Sequence, residues 1–278
     1  MQTAMFTLNC KGKLLSLDKP IVMGIMNVTP DSFYARSRQT SIDDLLKQAE
    51  KMLNEGATIL DIGGQSTRPG AELITMEEEK KRVVLAIEAI LHSFPDAILS
   101  IDTFRAGVAK KAVDAGASVV NDISGGMMDE AMLSTVAILK VPFICMHIKG
   151  TPATMQQDPT YNDVTKEVLD YFIERIDACR KAGIHDVIID PGFGFGKNIE
   201  HNFTLLKNLS LFKMLQKPIL MGISRKFTIY KTLGITADEA LNGTTVLNTI
   251  GLINGANILR VHDVKEAVEA AKLYNGVN

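Results

Sequence analysis

Apolar runs in this chain stop, again and again, on a residue able to hold or donate a proton. Asn27 follows Ile21–Met26, Asp61 follows Thr58–Leu60, and Asp102 follows Ile98–Ile101. Asn121 follows Ser118–Val120, and Asp190 follows Val187–Ile189. Later runs stop at Ser224-Arg225-Lys226 and at Arg260, with His262 two residues on. An ionised carboxylate only accepts hydrogen bonds, whereas an amide both accepts and donates. Asp102, Asn121 and Asp190, with Lys226, could therefore read the edge of a flat heterocycle that carries adjacent N–H donors and a carbonyl. Arg68, Arg260 and His262 form a second, cationic set, and arginine forks match phosphate oxygens in pairs. One such ending is easily a helix cap or a loop entry. The recurrence along the whole chain is not explained that way.

Ile189–Lys197, reading I-D-P-G-F-G-F-G-K, condenses the design. A buried run ends on Asp190, and proline, three alternating glycines and Lys197 follow. The glycines suggest a phosphate cradle. The P-loop, however, needs Ser or Thr after its lysine, and Asn198 stands there. Nor does a helical apolar pattern open at these glycines, as a dinucleotide-binding turn requires. A strand that carries an acid to a mouth is the simpler reading.

The elements behind these endings alternate. Phe6–Leu17 reads as a short hairpin around Lys11-Gly12-Lys13. Ser41 with Asp44 resembles a capping box and starts a helix whose apolar face holds Ile42, Leu45, Leu46, Ala49, Met52 and Leu53. Thr75 with Glu78 caps the next helix, and Glu77–Glu79 read as its solvated first turn. Further helices are expected at about 106–115, 130–139, 163–182 and 202–209, with helical pattern on to 254 and a last helix at 264–273. Strand, loop and helix in strict alternation imply a parallel sheet. About eight units in ~250 residues fit a (β/α)8 TIM barrel, here with a short N-terminal hairpin and one domain over residues 1–278. In that fold the strand C-termini share one face, so the polar endings meet.

The 278 residues are 46% hydrophobic and 22% charged, enough for one large core. A net charge of −2 argues against a nucleic-acid partner, which needs a broadly basic face. No run is apolar enough for a bilayer, and the first residues lack a secretory signal pattern. Cys10, Cys145 and Cys179 form no C-x-x-C pair and read as filler in a reducing cytoplasm. His147 reads as a buried, satisfied histidine, and Phe193 as core. Phe195, in a glycine-rich loop, reads as functional.

Seven motifs in order carry a resemblance over nearly the whole chain. They are M-G-I-M-N-V-T-P-D-S-F (23–33), D-I-G-G-Q-S-T-R-P-G (61–70), S-I-D-T (100–103), N-D-I-S-G-G (121–126), D-P-G-F-G-F-G-K (190–197), S-R-K (224–226) and R-V-H-D-V (260–264). With them the chain resembles the dihydropteroate synthase family. The resemblance implies a barrel that joins 4-aminobenzoate to a dihydropterin diphosphate and releases pyrophosphate. It further implies a homodimer contacting through helices. By matching positions, Asp102, Asn121, Asp190 and Lys226 bind the pterin, with Gly222 and Met146 as pocket walls. Thr67, Arg68, Arg260 and His262 contact the diphosphate, and Asn27 ligates Mg2+. Phe33, Pro69, Phe195 and Ser224 line the aminobenzoate side. Lys226, Arg260, His262, Asp102 and Arg68 are the residues expected to carry the chemistry.

Two positions depart from the family pattern. Tyr34-Ala35-Arg36-Ser37 replaces an Asp-Gly-Gly type sequence, and Gln65 stands where Glu is common. Asp61 is expected to orient the loop of Thr67 and Arg68. Two rivals share the acid-and-amide pocket. A barrel passing a methyl group from a tetrahydrofolate to a corrinoid protein should not need S-T-R-P, S-R-K and R-V-H together. A non-enzymatic pterin-binding module should tolerate loss of the Arg68 loop.

Overall fold

The computed structural model describes residues 6–28, 38–65, 73–152, 154–155, 157 and 159–277. The chain opens with the expected hairpin. Strands β1 (Thr7–Cys10) and β2 (Lys13–Ser16) pair antiparallel about Lys11-Gly12, where both residues take positive φ. Eight strands then pair in parallel: β3 (Ile21–Asn27), β4 (Ile59–Gly63), β5 (Ile98–Asp102), β6 (Val119–Asp122), β7 (Phe143–Met146), β8 (Val187–Asp190), β9 (Leu220–Met221) and β10 (Ile258–Val261). Their spatial order is β8-β7-β6-β5-β4-β3-β10-β9, and a parallel bridge between Ile189 and Ile219 brings the two ends of the sheet together. The result is a nearly closed barrel ringed by helices, as the alternation implies.

Strand residues alternate between the barrel interior and the helix side. Met23, Ile59, Ile98, Val119, Ile144, Ile188, Leu220 and Ile258 come from all eight strands and pack into one buried apolar cluster. Leu8, Cys10 and Leu17 of the hairpin join that cluster, so the hairpin seals the N-terminal end of the barrel. A larger cluster fills the space between strands and helices. Two residues further along, five strands place a polar residue, Asp61, Ser100, Asn121, Asp190 and Arg260, while β3, β7 and β9 place Ile25, Met146 and Gly222.

Some local expectations need correction. The first helix, α1, runs Arg38–Asn54, so Ser41 lies inside it and does not cap it. Helix α2 (Met76–Ser93) is capped by Thr75 as expected, its side chain accepting from Glu78 N–H. Glu79, however, is fully buried and not solvated, because Arg105 and Thr103 reach it from the neighbouring β/α loop. The helix expected near 202–209 runs Ile199–Lys207, started by a capping box between Asn198 and His201, with a 3-10 segment, Leu209–Leu215, behind it. The helical pattern before Asn254 divides into Phe227–Leu233, ended by Gly234 in the left-handed region, and Leu241–Ile253. The last helix extends over Val264–Val277. No helix among the described residues is long and apolar enough to cross a membrane.

Candidate active site

Strand periodicity builds the site. Counting two residues on from the apolar layer gives Asp61, Ser100, Asn121, Met146, Asp190, Gly222 and Arg260. One further step gives Asn27, Gly63, Asp102, Ser224 and His262. Arg260 reaches across the mouth from β10. It donates from Nε to Asp61 Oδ2 at 2.6 Å and from Nη2 to Asp102 Oδ2 at 2.7 Å. Asn121 Nδ2 donates to the same Asp61 oxygen at 3.0 Å. Asp61 is fully buried, and its other oxygen, with Asp102 Oδ1 and Ser100 Oγ, has no hydrogen-bond partner among the described residues. Buried polar atoms are normally paired. Here three are unpaired and shut off from solvent, on the adjacent strands β4 and β5.

Burial pushes the Asp102 carboxyl up to about 7, Asp61 adds to the rise, and the Arg260 guanidinium opposes it. Burial of the guanidinium works against its charge, yet the Asp61 and Asp102 carboxylates hold Arg260 above its ordinary value. Asp190 is also raised by burial, against the pull of Lys226 and a bond from Gly192 N–H to its Oδ1 at 2.8 Å. Burial brings Lys226 down to about 8, with Asp190 resisting. A methyl group added at Gly222 would lie 3.9 Å from Asp190 Oδ2, Lys226 Nζ and the Arg260 Cβ alike, so glycine there keeps the cleft between them open.

Lys226 Nζ donates to the Phe193 carbonyl and stands 4.4 Å from the centre of the Phe195 ring. Phe193 is fully buried and Phe195 only half-buried, as their positions suggested. Ser224 Oγ accepts from His262 N–H at 3.2 Å and lies 3.0 Å from His262 Nδ1, where the ring tautomer sets which atom donates. Arg225, grouped with the mouth by sequence, turns away. Its fork grips Asp263 with two bonds of 2.8 Å, and Nη1 donates to the Ala237 and Asp238 carbonyls.

A sequence model of the pterin-binding enzyme family matches residues 23–262. The chain is 44% identical over 265 residues to the dihydropteroate synthase of Escherichia coli (strain K12), covering 95% of this chain and 93% of that protein. The Yersinia pestis dihydropteroate synthase in a sulfonamide drug complex superposes with a TM-score of 0.91 at 40% identity, over 98% of both chains. The Xanthomonas albilineans enzyme in complex with 7,8-dihydropteroate gives 0.87 at 37% identity, again over 98% of both chains.

The chain belongs to the dihydropteroate synthase family.

Of the residues that the family pattern marks, Asp102, Asn121, Met146, Asp190, Gly222, Ser224, Lys226, Arg260 and His262 stand at one mouth, with Phe195 over Lys226. Phe33, Thr67, Arg68 and Pro69 lie outside the described residues. Asp61, already read as a polar strand ending, anchors Arg260 and Asn121, a partnership hidden by its separation of 199 positions from Arg260. The loop of Thr67 and Arg68 that it is expected to orient lies outside the described residues. One member of the polar layer escaped the sequence reading. Ser100 follows from the strand period alone, two residues before Asp102. The loop from 64 to 75 is tied at its ends. Gln65 Oε1 accepts from Ile74 N–H at 2.9 Å, and Arg105 donates to the Ile74 carbonyl at 2.8 Å.

No group of three His, Cys, Asp or Glu among the described residues is placed to hold a metal ion. Asn27 is exposed at the end of β3, its Oδ1 beside Gly63 on the side of Asp102. Its amide oxygen could serve as one hard oxygen ligand of the kind that Mg2+ takes.

Proposed function

We propose that this chain joins 4-aminobenzoate to 6-hydroxymethyl-7,8-dihydropterin diphosphate, giving 7,8-dihydropteroate and pyrophosphate. The observation that carries the reading is the buried layer in which Asp61 and Asp102 flank Arg260, each with one oxygen unpaired. Likeness to a solved structure holding 7,8-dihydropteroate, and to another Xanthomonas albilineans structure with 4-aminobenzoic acid, supports both substrates.

The substitution is dissociative. The C–O bond to diphosphate breaks and its electron pair leaves with the oxygen. The dihydropterin spreads the resulting positive charge through its ring. The arylamine nitrogen then attacks the exocyclic carbon and gives up a proton to solvent. An arylamine is unprotonated at neutral pH, so no strong general base is needed. Asp102, Asn121 and Asp190 accept from the pterin, Lys226 donates to it, and Met146 and Gly222 shape its slot. With all groups ionised, Asp61, Asp102 and Asp190 set three negative charges against Arg260 and Lys226. One negative charge is left over, in place before a cation forms, and such preorganised charge is worth most in a dry site. Arg68, Thr67 and His262 take the diphosphate, together with Arg260 through its remaining Nη1. Phe33, Pro69, Phe195 and Ser224 line the aminobenzoate side. Mg2+ bound through Asn27 would neutralise charge on the departing diphosphate.

The test is pyrophosphate release from the two substrates, with and without Mg2+ and a sulfonamide. Arg260→Ala or Lys226→Ala should lose about 100-fold or more in turnover, by comparison with removal of one oxyanion donor. Circular dichroism should show the fold intact. Near-normal turnover in either variant would remove the assignment.

The assembly belongs to the same reading. Val246, Ile250 and Ile253 form an exposed apolar stripe on helix Leu241–Ile253, 50%, 38% and 64% accessible. Leu273 and Val277 extend it across an open groove of about 360 Å3 onto the last helix. A second copy of this chain is the proposed occupant, giving a homodimer.

A further inference from the structure

Lys197, the last residue of the glycine-rich stretch, is fully buried although it takes no part in the chemistry above. Its Nζ lies 2.8 Å from His147 Nδ1 and donates to the Gly192 and Phe195 carbonyls, each at 3.0 Å. The His147 carbonyl lies 3.5 Å from the same nitrogen, and the tautomer of the ring decides which of Nζ and Nδ1 donates. Burial holds both Lys197 and the His147 ring well below their ordinary values. No carboxylate is within hydrogen-bond distance of Lys197 among the described residues, Asp190 supports its charge only from further off, and burying such a group is expensive. Such a group needs a reason to be there.

The loop that it binds supplies one. Gly192, Gly194 and Gly196 have φ of 70°, 81° and 63°, all in the left-handed region. Glycine adopts many other conformations as easily, and within the loop a single backbone bond, from Phe195 N–H to the Gly192 carbonyl at 3.1 Å, favours this one. At Gly192 the backbone rests on the His147 carbonyl so closely that a Cβ would fall 1.9 Å from it. The far side of the loop faces the reaction. There the Phe193 carbonyl and the Phe195 ring hold Lys226. Two lysines thus grip one loop from opposite sides, one sealed in the protein and one in the site.

We propose that Lys197 is a positioning residue: it sets the 192–196 loop so that Phe193 and Phe195 seat Lys226 and shape the aminobenzoate side of the site. The inference rests on the synthase reading given above and deepens it.

The experiment compares Lys197→Met, which keeps length and removes all donors, with Leu8→Ala, which destabilises the sealed end of the barrel far from this loop. Pyrophosphate release by the wild-type chain is measured first, and its absence would overturn the synthase reading itself. Given wild-type turnover, Lys197→Met should raise KM for 4-aminobenzoate by about tenfold, the scale of a small misplacement of a binding group. The alkaline limb of kcat/KM should also move upward, as Lys226 leaves its seat on Phe193 and Phe195 and the burial that lowers it is relieved. Leu8→Ala should lower Tm and leave both readouts in place. Unchanged KM and limb in Lys197→Met, whatever its Tm, would overturn the proposal and spare the synthase reading. Should that variant fail to fold, Asn202→Ala removes the neighbouring bond from Gly194 N–H to Asn202 Oδ1 and is judged by the same two readouts.

Discussion

Asp102 shows how one side chain can serve binding at a cost in stability. Its carboxyl titrates at about 7, raised mainly by burial. It accepts from a pterin N–H best when ionised, so kcat/KM should climb as pH rises through about 7 and fall beyond about 8 as Lys226 loses its proton. The stability effect has the opposite sign. The folded state keeps a proton that the unfolded chain releases near pH 4, so folding weakens between about pH 4 and 7. Asp102→Asn should abolish the acid limb, cut kcat/KM by about 100-fold, and give a Tm that varies less over that range. Profiles of rate and of Tm against pH check both. A wild-type profile flat from pH 5 to 8 would refute this account. The acid itself was legible because an apolar run ended on it. Its partnership with Arg260 was not, since periodicity says which face a residue takes and not how far an arginine reaches across a barrel. Glu79 makes the same point. Its place in a glutamate run implied solvent, and Thr103 and Arg105, arriving from the next β/α unit, make burial tolerable.

Among the elements, the N-terminal hairpin and the strand period contribute most. Every barrel strand sends one residue into the cluster that the hairpin covers, and on five strands a polar residue follows two places later. Leu8 is 2% accessible in that cluster, so Leu8→Ala should destabilise the fold by about 2–5 kcal/mol, the usual range for such a cavity. KM for either substrate should stay as it was, because the defect lies below the reacting layer. Thermal denaturation beside steady-state kinetics tests the separation, and a tenfold rise in either KM would contradict it. The hairpin was legible from its alternation about Lys11-Gly12. Its destination was not, for its register says nothing about which end of the barrel it closes. Helix starts were read less well. Ser41-x-x-Asp44 has the composition of a cap, but Arg38–Asn54 already encloses it, and composition alone does not place the first turn.

For the whole molecule, the barrel was implied by the count of units, and the exposed stripe on the last two helices by nothing in the motifs. Sedimentation at micromolar concentration should report twice the chain mass. Ile253→Arg, which puts a charge into the apolar groove, should return it to one chain and leave Tm within a few degrees. A wild-type monomer under those conditions would dispose of the homodimer. The sealed lower end has a consequence for traffic. With the hairpin packed against an apolar floor, the described residues leave the strand C-termini as the way in. On the proposed reading, whatever sits deepest would arrive first, and whatever sits above it would bar its exit. The pterin would then enter ahead of the arylamine, and the departing pyrophosphate and the joined product would share the same doorway.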